Sequence, residues 1–250
     1  MKNKIASFGE IVWDCFGDSK TLGGAPLNFA YFCAKFGCDS AIISAVGNDG
    51  LGRAALAKIA EIRLDARAVA VLPDLPTGIV DVSEGSDGLP AYNIRRPAAW
   101  DEIGLSEAAA EIADGCGAFC FGTLAQRSET SRKTLFALLK TLKPSCLKVF
   151  DANLRQNYFD AKILAESLEY ADMLKLNDSE LPVVHGLLFR RKCAELREMA
   201  EEIAEKFSLK FLACTLGAEG HIVFSRGEEP ARGLPEPVEV ADTVGAGDAF

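Results

Sequence analysis

The chain has 250 residues, of which 49% are hydrophobic and 25% charged, and its net charge at pH 7 is −9. This length and composition are typical of a globular domain with one large apolar core. The acidic balance argues against nucleic acid or an anionic membrane surface as a partner, because both repel a negatively charged protein. No run approaches the ~20 apolar residues that a membrane-spanning helix needs.

The N-terminus and the cysteines indicate a cytoplasmic protein. The basic start leads into a short apolar run that Glu10 interrupts, which predicts a first strand and not a signal peptide. The eight cysteines lie mostly inside apolar runs, and no pair has the Cys-x-x-Cys spacing of zinc or redox sites. We therefore expect reduced thiols that serve as small core residues, as in cytosolic proteins.

Short apolar runs alternate with helical patterns along the chain, which predicts a largely parallel sheet covered on both faces. The predicted strands are Ile5–Phe8, Ala41–Ala45, Ala118–Phe121, Leu147–Phe150, Met173–Leu176, Phe211–Thr215 and His221–Phe224. The predicted helices are Leu27–Phe36, Leu51–Ile62, Ser128–Leu142, Ala161–Glu169 and Cys193–Phe207.

One region departs from this alternation. Thr77–Val82 and Ala91–Arg95 are typical of an antiparallel hairpin, because a glycine-rich turn at residues 84–88 separates them. Together with Ile11–Phe16 they predict a small sheet that stands off the main one. We expect this sheet, formed by about residues 11–17 and 77–96, to act as a lid.

The segment Asp242–Phe250 carries the strongest chemical signal. The glycines of Gly245-Ala246-Gly247 let successive backbone N–H groups converge on one point, which predicts a cradle for an anion. Asp248 at its rim would repel an anion, but it suits the removal of a proton from a nucleophile that attacks a phosphoryl group. Taken alone, the same residues are compatible with a glycine-rich turn that caps a helix.

The first long predicted helix begins with a candidate polyol site. Gly23 and Gly24 permit close approach of the backbone to a ligand, and Asn28 offers both hydrogen-bond donors and acceptors. Asp14, after the first strand, is suited to accept hydrogen bonds from sugar hydroxyls. The alternatives are an ordinary helix start and an aspartate that faces water.

Polar residues also follow two predicted core strands, where open α/β sheets bind ligands. Asn153 and Arg155 follow one strand, and Arg155 is suited to neutralise substrate or phosphate charge. Asn177 and Glu180 follow the next and share a face if a helix begins there, so they could hold a hydrated Mg²⁺. A capping box made by the same two residues is an equally good interpretation.

In this order, the motifs closely resemble those of the ribokinase-like (PfkB) carbohydrate kinases. The elements of the resemblance are the first-strand Gly-Glu with Asp14, Gly-Gly-Ala-Pro-x-x-Asn, Asp-x-Asn-x-Arg, Asn-x-x-Glu, Thr-x-Gly-x-x-Gly and Asp-Thr-x-Gly-Ala-Gly-Asp. The resemblance runs from residue 5 to residue 250. It implies one kinase domain, a three-layer α/β/α sandwich with a small β-sheet lid, that uses ATP and Mg²⁺ to phosphorylate a sugar.

The resemblance also implies a role for each motif. The sugar would be bound by Asp14, Gly24 and Asn28, and the nucleotide by Asn177, Thr215, Gly217 and Gly220. The anion hole would consist of Gly245, Ala246 and Gly247, with Asp248 as the general base. Glu180 would position Mg²⁺, and Asp242 resembles a ligand of a monovalent cation such as K⁺ in some members.

The segment Ile94–Trp100 resembles the lid segment of fructokinases, in which an arginine precedes a Pro-x-Ala run. Arg95 matches that arginine, which implies a place over the sugar and fructose as the substrate. Trp100, however, stands where fructokinases commonly have an acid. Kinases of 2-keto-3-deoxygluconate share much of the pattern, and an arginine would suit their carboxylate substrate as well.

Other functions are less compatible with the sequence. The first strand leads to Gly9-Glu10-Ile11 and not to the glycine pattern of a dinucleotide-binding dehydrogenase, and no P-loop motif occurs. Family members usually continue well beyond the Gly-Ala-Gly-Asp motif, so we expect the C-terminal part of the family fold to be missing here. A truncated, sugar-binding sensor is therefore the non-enzyme alternative. The sequence leaves open whether the protein forms a homodimer and which sugar is its substrate.

Overall fold

The structure is a computed structural model that describes residues 3–84, 90–235 and 245–250. The strands in these ranges are β1 Lys4–Phe8, β2 Val12–Phe16, β3 Ser19–Gly23, β4 Asp39–Gly47, β5 Val69–Leu72, β6 Gly78–Glu84, β7 Pro90–Ile94, β8 Ala118–Gly122, β9 Leu147–Asp151, β10 Met173–Asn177, β11 Phe211–Thr215, β12 His221–Ser225 and β13 Ala231–Gly233. The α-helices are α1 Ala25–Lys35, α2 Gly50–Glu61, α3 Glu107–Gly115, α4 Glu129–Thr141, α5 Ala161–Leu168, α6 Glu180–Phe189, α7 Leu196–Lys206 and α8 Ala246–Ala249.

Nine of the described strands form one large sheet, in the order β13-β12-β11-β10-β9-β8-β1-β4-β5. The pairs from β11 to β5 are parallel, and β12 and β13 add antiparallel strands at one edge. The strand order reverses at β1, which lies between β4 and β8. Such a reversal opens a crevice at the carboxyl ends of the strands. The predicted α/β sandwich is confirmed.

Both faces of this sheet are covered. Along β4, Ile43 and Ala45 belong to one apolar layer, and Ile42 and Val46 belong to the other. Successive side chains of a strand point to opposite faces, so burial of both faces requires a continuous apolar run. Within the described residues, no helix is long and apolar enough to cross a membrane.

A second, smaller sheet has the strand order β3-β2-β6-β7. Strand β2 and the hairpin β6–β7 lie where the sequence predicted them, although the turn at residues 85–89 lies outside the described residues. Strand β3 escaped prediction because Ser19, Lys20 and Thr21 are exposed polar residues at a sheet edge. Such a strand lacks the apolar alternation that marks a half-buried one.

Helices α3 and α6 and strand β5 were also missed. Helix α6 has apolar residues on all sides together with Pro182 and Gly186, so its sequence lacks the stripe of an amphipathic helix. Pro182 is tolerated because it lies in the first helical turn, where backbone N–H groups have no intrahelical partner. Strand β5 was missed because it has only four residues; it lies at the edge of the large sheet opposite β13.

A buried ion pair links the chain that leaves the small sheet to the main domain. The Arg127 guanidinium donates to both Asp101 carboxylate oxygens, at 2.7 and 2.9 Å, and these side chains are only 1% and 7% exposed. Arg127 also donates to the backbone carbonyl of Arg95 at 2.9 Å. Its guanidinium carbon lies 3.8 Å from the centre of the Trp100 ring. These contacts tie the end of the β6–β7 hairpin to the segment that follows β8.

Asp101→Asn should lower the free energy of unfolding by about 3–5 kcal/mol, because it leaves the buried Arg127 cation without its counter-charge. Urea denaturation followed by circular dichroism measures this change. Glu111→Gln, which breaks the exposed ion pair of Glu111 with Arg67, is the matched control and should cost no more than about 1 kcal/mol. A loss for Asp101→Asn as small as that of the control would contradict the structural role of the buried pair.

Candidate active site

A cavity of about 340 Å³ lies at the carboxyl ends of the strands beside β1. The loops after β1, β9 and β10, the start of α1, the small sheet and the segment 245–248 all contribute to its wall. Parallel register explains how distant sequence motifs meet here. Lys175 of β10 pairs with Asp151 of β9, and Asn177 of β10 pairs with Thr215 of β11. The three strands therefore end at the same edge of the sheet.

Asp248 is held in the cavity by two asparagine side chains. The Asn28 amide donates to one carboxylate oxygen at 2.9 Å, and the Asn153 amide donates to the other at 3.4 Å. Asn153 has a φ of 36°, in the left-handed region that asparagine tolerates better than most residues. Its side-chain oxygen is buried without a hydrogen-bond partner. Three predicted site residues therefore meet, and one acceptor remains available to a ligand.

The predicted glycine turn lies directly before Asp248. Gly245 has a φ of 75° and precedes the short helix α8, which contains Ala246, Gly247 and Asp248. The Asp248 backbone N–H donates to the Gly245 carbonyl at 3.1 Å. Gly245 and Gly247 line the cavity. The turn therefore lies beside the carboxylate of Asp248, as an anion hole and its general base would.

The predicted polyol residues Asp14, Gly24 and Asn28 also line the cavity. Gly24 has a φ of 115°, and a Cβ atom there would lie 2.4 Å from the Glu10 carbonyl oxygen. Only glycine accommodates both that conformation and that approach. Burial raises the pKa of the Asp14 carboxyl, although the positive charge of Arg155 opposes the shift.

Asn177 and Glu180 form the capping box that was one of their two interpretations. The Asn177 side-chain oxygen accepts from the Glu180 N–H at 2.8 Å, and a Glu180 carboxylate oxygen accepts from the Asn177 N–H at 2.9 Å. The other Glu180 oxygen accepts from the Leu154 N–H at 2.7 Å. Glu180 therefore links the loops after β9 and β10 while it lines the cavity.

The described residues fit a magnesium ion that arrives with a nucleotide better than one held by the protein alone. They contain no cluster of three or more histidine, cysteine or acidic side chains that could form a metal cage. Mg²⁺ commonly uses one or two carboxylates, several waters and substrate phosphates, and Glu180 can supply one such carboxylate. Asp242, the predicted ligand of a monovalent cation, lies outside the described residues.

The two predicted arginines have different positions. Arg155 lines the cavity, but Arg95 does not. Arg95 instead donates to both carboxylate oxygens of Asp81, at 2.8 and 2.6 Å, and its side chain is 55% exposed. Its neighbour Ile94 takes the position in the cavity wall. Adjacent residues at the end of a strand face opposite sides, so the expectation that Arg95 covers the sugar is not met here.

The predicted nucleotide motif is split in a similar way. Thr215 lines the cavity at the end of β11. Gly217 and Gly220 form the tight turn that follows, with φ values of 56° and 92°, and they are not part of the described cavity wall. A Cβ atom on Gly220 would lie 2.0 Å from the Gly233 carbonyl oxygen, so glycine is required where this turn passes β13.

Lys175 had no role in the sequence interpretation, and Asp151 entered it only as the first residue of the Asp-x-Asn-x-Arg motif. The Lys175 ammonium lies 3.2 Å from both Asp151 carboxylate oxygens, and each side chain is 12% exposed. Burial raises the pKa of Asp151 to about 7 despite the opposing charge of Lys175. Lys175 lines the cavity, 3.5 Å from where a Cβ atom on Gly247 would lie. The signal for this pair was a lysine that interrupts the apolar run of a predicted core strand.

Glu10 is the other acid of the cavity wall without an assigned role. It follows β1 directly and is 6% exposed. Burial raises the pKa of its carboxyl to about 7, and the negative charge of Asp248 adds to the shift, whereas Arg155 opposes it. The sequence signal was the Gly-Glu pair at the end of the first strand.

Comparison with known proteins assigns the family. Residues 2–250 match the pfkB family carbohydrate kinases. A fructokinase of Klebsiella pneumoniae is 31% identical over 265 aligned residues, which cover all of this chain and 82% of the relative.

Solved structures agree with this assignment. The structure of an uncharacterized sugar kinase from Pyrococcus horikoshii superposes with a TM-score of 0.82 at 27% identity, covering 99% of this chain and 81% of that one. A second structure of the same protein, in complex with ATP, superposes with a TM-score of 0.79. The fold also matches a Vibrio cholerae fructokinase in a fructose, ADP and calcium ion bound form, with a TM-score of 0.82 at 23% identity. The chain thus belongs to the pfkB family and is an ATP-dependent carbohydrate kinase.

Proposed function

We propose that this kinase transfers the γ-phosphoryl group of ATP to a hydroxyl of fructose, with Asp248 as the general base. The observation that carries the proposal is the contact of Asp248 with Asn28 and Asn153 beside the glycine turn of Gly245. One amide on each carboxylate oxygen orients the acid, and each oxygen keeps a further lone pair for a proton. A base needs this combination of fixed geometry and acceptor capacity.

Other groups of the cavity would bind the transferred phosphoryl group and the nucleotide. The turn Gly245-Ala246-Gly247 would receive the transferred phosphoryl group, and the Lys175 ammonium beside Gly247 adds a fixed positive charge. Glu180 would hold Mg²⁺ together with the nucleotide, and the ion would neutralise phosphate charge when bound. A K⁺ site at Asp242, a cytoplasmic location and a homodimer stay predictions.

The charges of the cavity wall favour a neutral sugar. Among its described residues, Glu10, Asp14, Glu180 and Asp248 are acids, and only Arg155 and Lys175 are basic. A sugar acid would bring another negative charge into this set, which disfavours 2-keto-3-deoxygluconate unless Arg155 compensates for it. The fructokinase relative gives further support to fructose.

A panel of fructose, ribose, adenosine and 2-keto-3-deoxygluconate tests the substrate. With ATP and Mg²⁺, fructose should have the highest kcat/KM, by ~10²-fold or more, because a wrong sugar leaves buried polar groups unpaired. Initial rates from a coupled ADP assay provide the comparison. Faster turnover of 2-keto-3-deoxygluconate at limiting concentration would overturn the assignment. Calorimetric binding of fructose without turnover of any sugar would favour the sensor.

Asp248→Asn should lower kcat by ~10²–10⁴ and leave the affinity for sugar nearly unchanged, because the amide keeps the shape of the base but cannot accept the proton. Steady-state kinetics and calorimetric sugar binding measure the two effects. Asp114→Asn, an exposed aspartate paired with Lys143, is the matched control and should behave like the wild type. An Asp248→Asn variant with more than about a third of the wild-type kcat would exclude Asp248 as the base.

The two arginines make a matched pair of variants. Arg155→Ala should raise the KM for sugar more than the KM for ATP, since Arg155 lines the cavity with Asp14 and Glu10. Arg95→Ala should also act mainly on the sugar KM, but less strongly, because Arg95 contacts the small sheet through Asp81. Steady-state KM values of both variants for sugar and for ATP measure these effects. A larger effect on the sugar KM from Arg95→Ala would mean that Arg95 enters the site when the lid closes.

A further inference from the structure

The carboxyl group of Glu10 occupies a position that suits ligand binding. It follows β1, the strand at which the order of the large sheet reverses, and its side chain lines the cavity. It is nevertheless 6% exposed, and its backbone carbonyl packs against Gly24 at the start of α1. Two backbone N–H groups, those of Glu10 and Ala25, donate to this carboxyl from the protein side, and the cavity lies on its other side.

Burial disfavours the ionised form of Glu10, and the charges around it act in opposite directions. Asp248 and Asp14 contribute negative charge to the same cavity wall, and Arg155 supplies the opposing positive charge. The backbone N–H of Ala25 is the hydrogen-bond donor that favours the ionised form from the side of α1. Burial outweighs these two contacts and the hydrogen bond from the backbone N–H of Glu10 itself, and it raises the pKa of Glu10 to about 7. The group therefore takes up a proton near neutral pH, unlike an ordinary surface glutamate.

A protonated carboxyl adds a function that the other acids of the wall lack. An ionised aspartate only accepts hydrogen bonds, whereas a neutral carboxyl also donates one. A sugar oxygen without an available hydrogen, such as a ring or carbonyl oxygen, needs a donor. The other side-chain donors of the described cavity wall include Arg155, Lys175, Tyr92 and Thr215, and the amides of Asn28 and Asn153 each donate one hydrogen bond to Asp248.

We propose that Glu10 is a sugar-binding residue whose protonated carboxyl donates a hydrogen bond to an oxygen of a neutral sugar. This inference rests on the proposed sugar kinase function and narrows its substrate class. Because the sugar would bind the protonated form, its binding must take up a proton from the buffer wherever Glu10 is ionised in the free protein. The affinity for sugar should then be constant well below pH 7 and fall as the pH rises above 7.

Isothermal titration calorimetry without nucleotide tests the proposal. For the wild type, the affinity for fructose should fall about 30-fold between about pH 6 and pH 8.5, as the linkage relation gives for one proton. Titrations at pH 8.5 in buffers of different ionisation enthalpy should show uptake of about one proton per sugar bound. Glu10→Gln keeps a donor and an acceptor but cannot ionise, so its affinity should not depend on pH and should exceed that of the wild type at pH 8.5.

Asp14→Asn is the matched control, because burial raises the pKa of Asp14 as well. This variant should bind sugar more weakly but keep the pH dependence of the wild type. Circular dichroism at each pH confirms that the proteins stay folded. If Glu10→Gln does not fold, proton uptake that persists in Asp151→Asn supports Glu10, because Asp151 is the other carboxyl whose pKa burial raises to about 7, and loss of the uptake in that variant overturns the proposal.

Several results would overturn the role of Glu10. These are a wild-type affinity without pH dependence, no proton uptake at pH 8.5, or a pH dependence that survives in Glu10→Gln. Failure of every neutral sugar of the panel to bind at pH 6 would also overturn it. Binding of ribose or adenosine with the expected pH dependence, but not of fructose, would support Glu10 and contradict the fructose assignment, so the two proposals fail separately.

Discussion

The parallel pairing of β1 with both β4 and β8 is the constraint on which the site depends. It places the chain on both sides of β1, which opens a crevice at the carboxyl ends of these strands. The loops after β9 and β10 end at the same edge, because parallel register aligns their last residues. Asn153 and Asn28 can therefore reach Asp248 across 95 and 220 residues of sequence.

The same arrangement requires charged groups in places from which water is largely excluded. Asp151 is stabilised by Lys175 across neighbouring strands, and Glu180 is stabilised by backbone N–H groups of two loops. Burial outweighs the compensation at both Asp151 and Glu10, and it raises the pKa of each carboxyl to about 7. Burial and its compensation by hydrogen bonds and charges thus set the pKa of each acid in this region.

The small sheet depends on the main domain for its position. Its strand β2 is continuous with the segment after β1, and the end of β7 is tied through the Arg95 carbonyl to the buried Arg127–Asp101 pair. Val80 and Ile94 of the sheet form part of the cavity wall. A rigid attachment of this kind lets a sheet cover a site without a large core of its own.

The sequence alone determined most of the fold, because buried parallel strands require continuous apolar runs and helices require periodic ones, as in Ala41–Ala45 and Leu51–Ile62. It also predicted candidate site residues, including Asp248, Asn28 and the glycine turn, and the structure brings these to one cavity. Only the tertiary structure decided which side chains reach the cavity. Ile94 lines the cavity and Arg95 does not, because adjacent residues at the end of a strand point to opposite sides. The Lys175–Asp151 pair and the burial of Glu10 likewise arise from contacts between distant segments, which no local pattern encodes.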